Sequence, residues 1–443
     1  MTRKMKDSGI EWIGEIPEEW EVVKIKHEYS FSTGFTPETN RVEFYCDESG
    51  YEWLNISDLD GSKFLNKQTK NKISKSYVDL FKPKSVPKGS LMYSFKLSVG
   101  QRAFSTREMY TNEAIASFIK MKDIDLNYFY YSSSLIEYNS NTNIYGARIL
   151  NQELIKNAPV PFPSIMEQNR ISNLLDKKTE QIEKLKNTIN KEIEKLENYK
   201  KSVITEAVTK GLDKNVEMKD SGIEWIGEIP KHWKINKIGR ICNVITDFVA
   251  SGSFASIAKN VTYLNNEDYA MLVRTVDLSN KRENVNRIYI NKSSYKFLRN
   301  SNLIGGEIVL PNIGASIGDV YIVPKLYKRM SLAPNSIMIK TKYVDKYYYY
   351  CFSSKYGKIL LQNLSISSAQ PKFNKTELRN IKMMQPPIKE QKSIVAYLDK
   401  KCQLIDETIS LKQKQLETLE EYKKSLIYEY VTGKKEVKDG EES

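Results

Sequence analysis

Residues 5–20 read MKDSGIEWIGEIPEEW, and residues 218–233 read MKDSGIEWIGEIPKHW. Fourteen of these sixteen positions are identical at an offset of 213 residues, an identity that shared secondary structure alone does not produce. A second pair of blocks closes each repeat, with PSIMEQNRISNLLDKK at 163–178 and PPIKEQKSIVAYLDKK at 386–401. The chain is therefore an internal tandem duplication in which an opening block, a middle and a closing block follow one another twice.

The closing blocks begin two long predicted helices. Apolar residues recur in both at intervals of three or four, with Lys and Glu between them, which is typical of amphipathic helices. Ser164 and Glu167 form the pattern of a capping box, and Gly211 and Gly433 supply the stops. Residues 167–210 would span about 66 Å. Because so long a helix with a narrow apolar stripe is not stable alone, we predict an antiparallel pair; packing of each helix on its own domain is the alternative.

The formal net charge of +13 indicates a polyanionic partner such as nucleic acid. The helices hold little of this charge, since 167–210 carries ten Lys or Arg against eight Asp or Glu, and 390–432 carries seven against eight. The middles hold most of the excess and combine alternating β-branched and aromatic stretches with glycine turns. We therefore predict two α+β domains, with the long helices as a spacer between them.

Several enzyme motifs are missing from the sequence. It contains no Asn or Asp followed by Pro-Pro-Tyr or Pro-Pro-Phe for holding a flipped adenine, no phosphate-binding loop ending in Gly-Lys-Ser or Gly-Lys-Thr, and no convincing acidic cluster for a nuclease. Four scattered cysteines and two isolated histidines predict neither disulfides nor a metal site. Without a long apolar run or a signal peptide, a cytoplasmic protein with no membrane segment is favoured. We predict a non-catalytic protein that binds no cofactor or metal itself.

The opening blocks, the EQ-containing entry to each long helix, and the exits ENYKKSVITEAVT at 197–209 and EEYKKSLIYEYVT at 420–432 resemble the specificity subunits of type I restriction-modification systems. The resemblance covers the whole chain. It implies two target-recognition domains, each reading one half of a bipartite asymmetric site in double-stranded DNA, and an antiparallel coiled coil between them.

The resemblance also implies partner subunits that carry the chemistry. Two methyltransferase subunits would bind S-adenosylmethionine and methylate adenine, and restriction subunits, which use ATP and Mg, would act as motor and nuclease. An autonomous DNA-binding or coiled-coil scaffold without methyltransferase partners is the alternative function.

These expectations divide the chain into five segments. The predicted order is a first target-recognition domain with its opening block at 1–163, a first spacer helix at 164–211, the repeated opening block with the second target-recognition domain at 212–385, a second spacer helix at 386–433, and a flexible tail at 434–443.

Side chains near predicted turns are the candidates for DNA contact, because Arg and Lys read guanine and Asn and Gln read adenine. The candidates are Lys96, Arg102, Tyr145 and Arg148 in the first domain, and Arg274, Asn312, Ser316 and Lys372 in the second. The tryptophans of the opening blocks either contact a partner subunit or staple each block to its own domain: Trp12, Trp20, Trp225 and Trp233. The run Tyr347–Tyr350 is interpreted as core packing.

Overall fold

The chain folds into two compact units. A computed structural model describes residues 3–46, 49–96, 98–121, 124–142, 148–224, 226–279, 286–364, 371–438 and 440, with the backbone alone for Cys46 and Arg148. The first unit consists of residues 1–189 and 414–443, and the second consists of residues 190–413. Each unit therefore contains one opening block, one middle and part of both long helices. Among the described residues, no helix is long and apolar enough to cross a membrane.

The first repeat is built from short elements followed by one long helix. Its strands are β1 (Met5–Asp7), β2 (Glu15–Pro17), β3 (Glu21–Lys24), β4 (Tyr29–Thr33), β5 (Tyr45–Cys46), β6 (Tyr51–Leu54), β7 (Phe64–Leu65), β8 (Asn71–Ile73), β9 (Leu91–Ser94), β10 (Arg102–Ser105), β11 (Tyr110–Thr111), β12 (Ile115–Lys120), β13 (Asn141–Thr142), β14 (Arg148–Ile149) and β15 (Pro159–Phe162). Its α-helices are α1 (Ile25–Glu28), α2 (Lys75–Phe81), α3 (Leu126–Ser132), α4 (Gln152–Lys156) and α5 (Ile165–Lys210).

The second repeat follows the same plan. Its strands are β16 (Met218–Asp220), β17 (Glu228–Pro230), β18 (Lys234–Lys237), β19 (Cys242–Asp247), β20 (Tyr263–Leu264), β21 (Ala270–Val273), β22 (Ile288–Ile290), β23 (Asn302–Leu303), β24 (Ile308–Pro311), β25 (Tyr321–Ile322), β26 (Met330–Leu332), β27 (Ser336–Thr341) and β28 (Lys382–Gln385). Its α-helices are α6 (Ile238–Ile241), α7 (Phe254–Asn260), α8 (Thr275–Leu278), α9 (Lys292–Phe297), α10 (Asp345–Ser353), α11 (Lys355–Asn363), α12 (Lys375–Asn380) and α13 (Ile388–Val431).

A central sheet, apolar on both faces, organises each unit. Its strand order is β4-β12-β9-β10-β7 in the first unit and β19-β27-β24-β25 in the second. Successive side chains of a strand point to opposite faces, so Ala116 and Phe118 of β12 pack toward α3 while Ile115 packs toward a second sheet. In β27, Ile337 packs toward α10 and Met338 packs toward the second sheet. The central strands are therefore covered on both sides.

The second sheets differ between the units. Their orders are β11-β6-β8-β5 in the first unit and β20-β22-β21-β26-β23 in the second, and both contain one parallel pair, β6 with β11 and β21 with β26. Strand β7 extends the central sheet of the first unit, whereas β23 extends the second sheet of the second unit. The two middles thus share a plan but place an extra edge strand differently, which confirms the α+β duplication.

In each unit, the strand that follows the opening block pairs with the strand that precedes the closing block. Strand β3 pairs antiparallel with β15, and β18 pairs in the same way with β28. Each opening block also forms a small hairpin, β1 with β2 and β16 with β17, in the same register of Met with Pro. The repeated sequences therefore build the same junction twice, on either side of each middle.

The two long helices run antiparallel within both units. Their ion pairs have N–O distances of 2.6–2.8 Å: Glu183 with Lys423 and Lys186 with Glu420 in the first unit, Glu192 with Lys412 and Lys200 with Asp406 in the second. Partner numbers rise along α5 as they fall along α13, which confirms the predicted antiparallel pairing. Exposed ion pairs contribute little stability, and buried apolar residues such as Leu175 and Ile427 form the core beside them.

Two details differ from the sequence prediction, one at the start of the first long helix and one in the C-terminal tail. The Ser164 hydroxyl accepts from the N–H of Glu167 (3.4 Å) as a helix cap does, but the Glu167 carboxylate is engaged by the opening block instead of completing the capping box. The sequence predicts a flexible tail at 434–443, yet Val437 is buried and its carbonyl accepts from Arg170 (3.1 Å). An apolar side chain beside the core of the first unit explains this packing, because burial removes it from water.

Candidate DNA-recognition domains and their supporting frame

A buried tryptophan joins each opening block to the start of a long helix. Trp20 is fully buried, and its indole N–H donates to the carboxylate of Glu167 (2.8 Å). Trp233 is equally buried and donates to Glu390 (2.8 Å). Arg3 adds an ion pair to Glu167 (2.7 Å). Since both rings are enclosed and their N–H groups are satisfied, the structure supports stapling rather than direct partner contact for these two residues.

In each closing block, the glutamine that follows this glutamate holds the middle to the same junction. The side-chain oxygen of Gln168 accepts from the N–H of Asp125 (3.0 Å), and its amide donates to the carbonyl of Pro163 (2.9 Å). Gln391 repeats both contacts, accepting from the N–H of Val344 (3.2 Å) and donating to the carbonyl of Pro386 (2.8 Å). Both glutamines are buried. We call Trp20, Glu167 and Gln168, with Trp233, Glu390 and Gln391, the frame.

Tyrosines on α3 and α10 connect the middles to the long helices. The hydroxyl of Tyr131 donates to Asp176 (2.5 Å), and that of Tyr350 donates to Asp399 (2.6 Å). Burial, reinforced by the neighbouring carboxylate, raises the pKa of both phenols, so each remains a hydrogen-bond donor at neutral pH. Tyr347, Tyr348 and Tyr350 are all buried, which confirms that the tyrosine run packs the core.

The remaining opening-block tryptophans are described in part. Trp12 is half-buried, stacks on Tyr138 with ring centroids 5.5 Å apart, and offers its carbonyl to the hydroxyl of Tyr428 (3.0 Å). Trp225 and Tyr145 lie outside the described residues, and only the backbone of Arg148 is described, in β14. Partner contact by Trp12 stays a prediction.

The first domain's described DNA-contact candidates lie around the hairpin of β9 and β10. Lys96 is exposed in the loop, and its Nζ lies 3.6 Å from the carboxylate of Glu113. Arg102 begins β10, and its guanidinium carbon lies 4.9 Å from the ring centroid of Tyr130. Arg102 therefore packs against α3 within its own unit, while Lys96 is accessible to a polyanion.

Two of the second domain's candidates are engaged within the fold. The guanidinium of Arg274 donates to both carboxylate oxygens of Asp277 (3.0 and 2.9 Å) and to the carbonyl of Asn286 (2.6 Å). The side-chain amide of Asn312 donates to the carbonyl of Phe373 (2.9 Å). These hydrogen bonds fix local structure and hold both side chains against their own domain.

The other two candidates are exposed and are brought together by the fold. Ser316 follows β24 in a loop, and Lys372 lies in the segment that pairs with that loop through an isolated bridge to Ile313. This loop occupies the same place in the second unit as the Lys96 loop does in the first, between paired antiparallel strands of the central sheet. The exposed candidates Lys96 and Ser316 therefore lie in equivalent hairpin loops, and Lys372 lies beside the second of them. Their roles stay predictions.

Stapling by Trp20 and Trp233 was one of the two roles predicted from the sequence, whereas the roles of Glu167 and Gln168 in the frame were missed. Glu167 and Gln168 were visible as the repeated EQ pair of the closing blocks, and identity between the repeats was the available signal. Lys63, which forms an ion pair with Asp176, gave no sequence signal, because its partner lies 113 residues away.

Comparison with known proteins identifies the same two repeats. The family model for the type I restriction modification DNA specificity domain matches residues 17–195 and 230–421, one copy for each repeat. This chain belongs to that family. The sequence-based recognition of a type I specificity subunit is therefore confirmed.

Relatives of the family extend over nearly the whole chain. The putative type I restriction enzyme MjaX specificity subunit of Methanocaldococcus jannaschii is 26% identical in an alignment of 449 residues that covers 96% of each chain. The type I restriction enzyme MjaVIII specificity subunit of the same organism is 26% identical over 441 residues, covering 96% of this chain and 95% of the relative. A solved structure concerned with complex assembly and conformational transition of the type I R-M system has a TM-score of 0.66 at 13% identity, covering 94% of this chain and 98% of its own. It shows that the fold is shared.

Proposed function

We propose that this chain is the DNA-reading subunit of a type I restriction-modification complex, in which each middle reads one half of a bipartite asymmetric site. The observation that carries the proposal is the contrast between the frame and the middles. The frame repeats the same hydrogen bonds in both units, whereas the sheets of the middles differ in strand number and order. Two like junctions suit two copies of one partner, and two unlike sheets suit two different half-sites.

The charge distribution supports DNA as the ligand. The long helices are nearly neutral, so most of the net charge of +13 lies outside them. Exposed Lys96 lies in one of the equivalent hairpin loops and exposed Lys372 lies beside the other, where a Lys reads guanine or neutralises a phosphate. Adenine methylation and restriction would be the work of partner subunits: two methyltransferases that bind S-adenosylmethionine, and motor and nuclease subunits that use ATP and Mg.

The proposal is tested by replacing residues 234–374 with another recognition domain of the family. Methylated adenines are then mapped in DNA from cells that also express the methyltransferase subunits. We expect one half of the target to change and the other half to stay the same. A simultaneous change of both halves would contradict the two-reader function, and methylation by the purified chain alone would contradict the non-catalytic role. DNA binding without any dependence on methyltransferase subunits would favour the scaffold alternative.

A further inference from the structure

Lys63 connects the outer edge of the first central sheet to a long helix. It directly precedes β7, the edge strand, and its carbonyl accepts from the N–H of Phe104 in β10 (2.8 Å). Its ammonium group forms an ion pair with the carboxylate of Asp176 on α5. The same carboxylate accepts from the hydroxyl of Tyr131 on α3 (2.5 Å). One carboxylate therefore joins β7, α3 and α5.

The surroundings of Lys63 restrict where its ammonium group can go. Its Nζ lies 5.3–5.9 Å from the centroids of four rings, those of Phe64, Phe104, Tyr130 and Tyr131. These distances are within the range of cation–π attraction. The Lys63 side chain is 19% exposed and that of Asp176 is 39% exposed, so solvent screens the ion pair less than it screens a pair in which both side chains are exposed. The contact is a specific anchor rather than a mobile surface pair.

The sheet packs on α3 across its width, since Phe118 of β12 contacts Phe129 and Phe104 of β10 stacks on Tyr130. The Lys63 anchor adds a contact from the edge of the sheet to α5 itself. At the opposite edge, Tyr29 of β4 stacks on Phe129 of α3 with ring centroids 3.7 Å apart. Four strand spacings separate β4 from β7 in the sheet order, which is about 19 Å. A tilt of the sheet by about 10° about its β4 edge would move the far edge by about 3 Å, close to the rise of one DNA base pair.

The second unit uses its equivalent carboxylate differently. Asp399 pairs with Lys346 (2.7 Å) and with Tyr350 (2.6 Å). Both side chains belong to α10, which lies beside the helix and not at the outer edge of the sheet. Within the described part of the second unit, these contacts of Asp399 tie α10 to α13 without reaching a sheet strand.

We infer that Lys63 is a positioning residue, which fixes the tilt of the first recognition domain on α5 and thereby restricts the gap between half-sites that the complex accepts. This inference rests on the proposed function, because a gap has meaning only if two domains read two half-sites. Lys63 need not touch DNA to act in this way.

The test compares Lys63→Met with the matched control Lys346→Met, which removes the ion pair of the equivalent carboxylate in the second unit. Met keeps most of the Lys volume and packs well on aromatic rings. The full chain is assembled with its methyltransferase subunits, and methylation is measured on duplexes that carry the wild-type half-sites with the parental gap or one base pair more or less. The preference is the ratio of the methylation rate at the parental gap to the rate at the altered gaps. We expect Lys63→Met to lower this ratio about tenfold, as the loss of one partly desolvated cation would. Lys346→Met and Lys63→Arg should keep the wild-type preference.

A second readout measures tilt without DNA. Spin labels are introduced as non-natural amino acids at the exposed residues Lys84 and Glu180, both in the first unit. Lys63→Met should broaden the distribution of distances between them, and Lys346→Met should not. If Lys63→Met does not assemble, Asp176→Asn removes the charge while retaining an acceptor for Tyr131, and it should give the same two results.

Unchanged gap preference in Lys63→Met or Asp176→Asn, or an equal loss in Lys346→Met, would overturn the inference. Failure of the wild-type complex to methylate any bipartite site would instead overturn the proposed function. In that case the spin-label distances would still report whether Lys63 fixes the tilt of the domain.

Discussion

The two units of this protein share a frame and differ in the sheets that the frame supports. Trp20 and Trp233 make the same hydrogen bond at the same distance, although the opening blocks that contain them lie 213 residues apart in the chain. By contrast, β7 and β23 extend different sheets. The repeated residues therefore mark a junction built twice, while recognition belongs to the parts that were free to diverge.

Removing a frame tryptophan should have the largest effect on stability. Truncating a fully buried aromatic side chain costs about 3–5 kcal/mol, and Trp20→Ala and Trp233→Ala also remove one hydrogen-bond donor from a carboxylate. Hydrogen exchange should show faster exchange in the unit that carries the change. Trp12→Ala, which removes a half-buried ring, should cost less. An equal loss of protection in both units from either substitution would contradict the assignment of each tryptophan to the junction of its own unit.

Substitution of the glycines that end the long helices should destabilise the two units to different degrees. Gly433 has φ of +70°, and a Cβ there would lie 2.3 Å from Cδ of Pro17 and 3.2 Å from the Trp20 ring. Gly211 has φ of +76°, but its nearest such contact is the Trp233 ring at 3.2 Å. A left-handed backbone costs a non-glycine residue about 1–2 kcal/mol, so Gly211→Ala should lose about that much and Gly433→Ala about 3 kcal/mol. Chemical denaturation measures both, and similar losses would contradict the tighter junction of the first unit.

The frame glutamines should have matching effects. Gln168→Ala and Gln391→Ala each leave one half-buried N–H and one buried carbonyl without this partner, at a cost of about 1–3 kcal/mol. Because the two sites have the same geometry, the free energies of unfolding should fall by similar amounts. A difference above about 1 kcal/mol would show that the junctions are not energetically equivalent. Gln403→Ala, at an exposed position of a long helix, serves as the control.

The smallest effect should come from the helix ion pairs, and it should depend on pH. A hydrogen bond from Lys186 holds the pKa of Glu420 below its ordinary value. A lowered folded-state pKa stabilises the fold above the unfolded pKa of about 4.3, and that contribution is lost as pH falls through the folded value. Glu420 is 42% exposed, so Glu420→Gln should cost less than about 1 kcal/mol at pH 7.

The pH profile of this variant provides the check. Its stability difference from wild type should shrink as the pH falls below about 4 and should already be constant at pH 6 to 7. Glu417→Gln, at an exposed position of the same helix, is the matched control. A difference that grows in acid would contradict the assignment.

The predicted recognition sites separate into two groups once the fold is known. Lys96, Ser316 and Lys372 are exposed at hairpins, as turn-forming sequence indicated. Arg274 and Asn312 lie near turns as well, but they donate to groups of their own domain. A single sequence does not distinguish the two cases, because both Asp277 and an external base offer acceptors that suit an arginine.

Sequence alone is sufficient to predict the duplication, the α+β class, the two long helices and the family. Each of these rests on identity or periodicity that is read along the chain, such as the recurrence of residues 5–20 at 218–233. Tertiary structure alone decided that Trp20 meets Glu167 across 147 positions and that Lys63 meets Asp176 across 113. These contacts depend on the path of the chain between the partners, since a side chain's ability to donate a hydrogen bond says nothing about which acceptor the fold brings within reach.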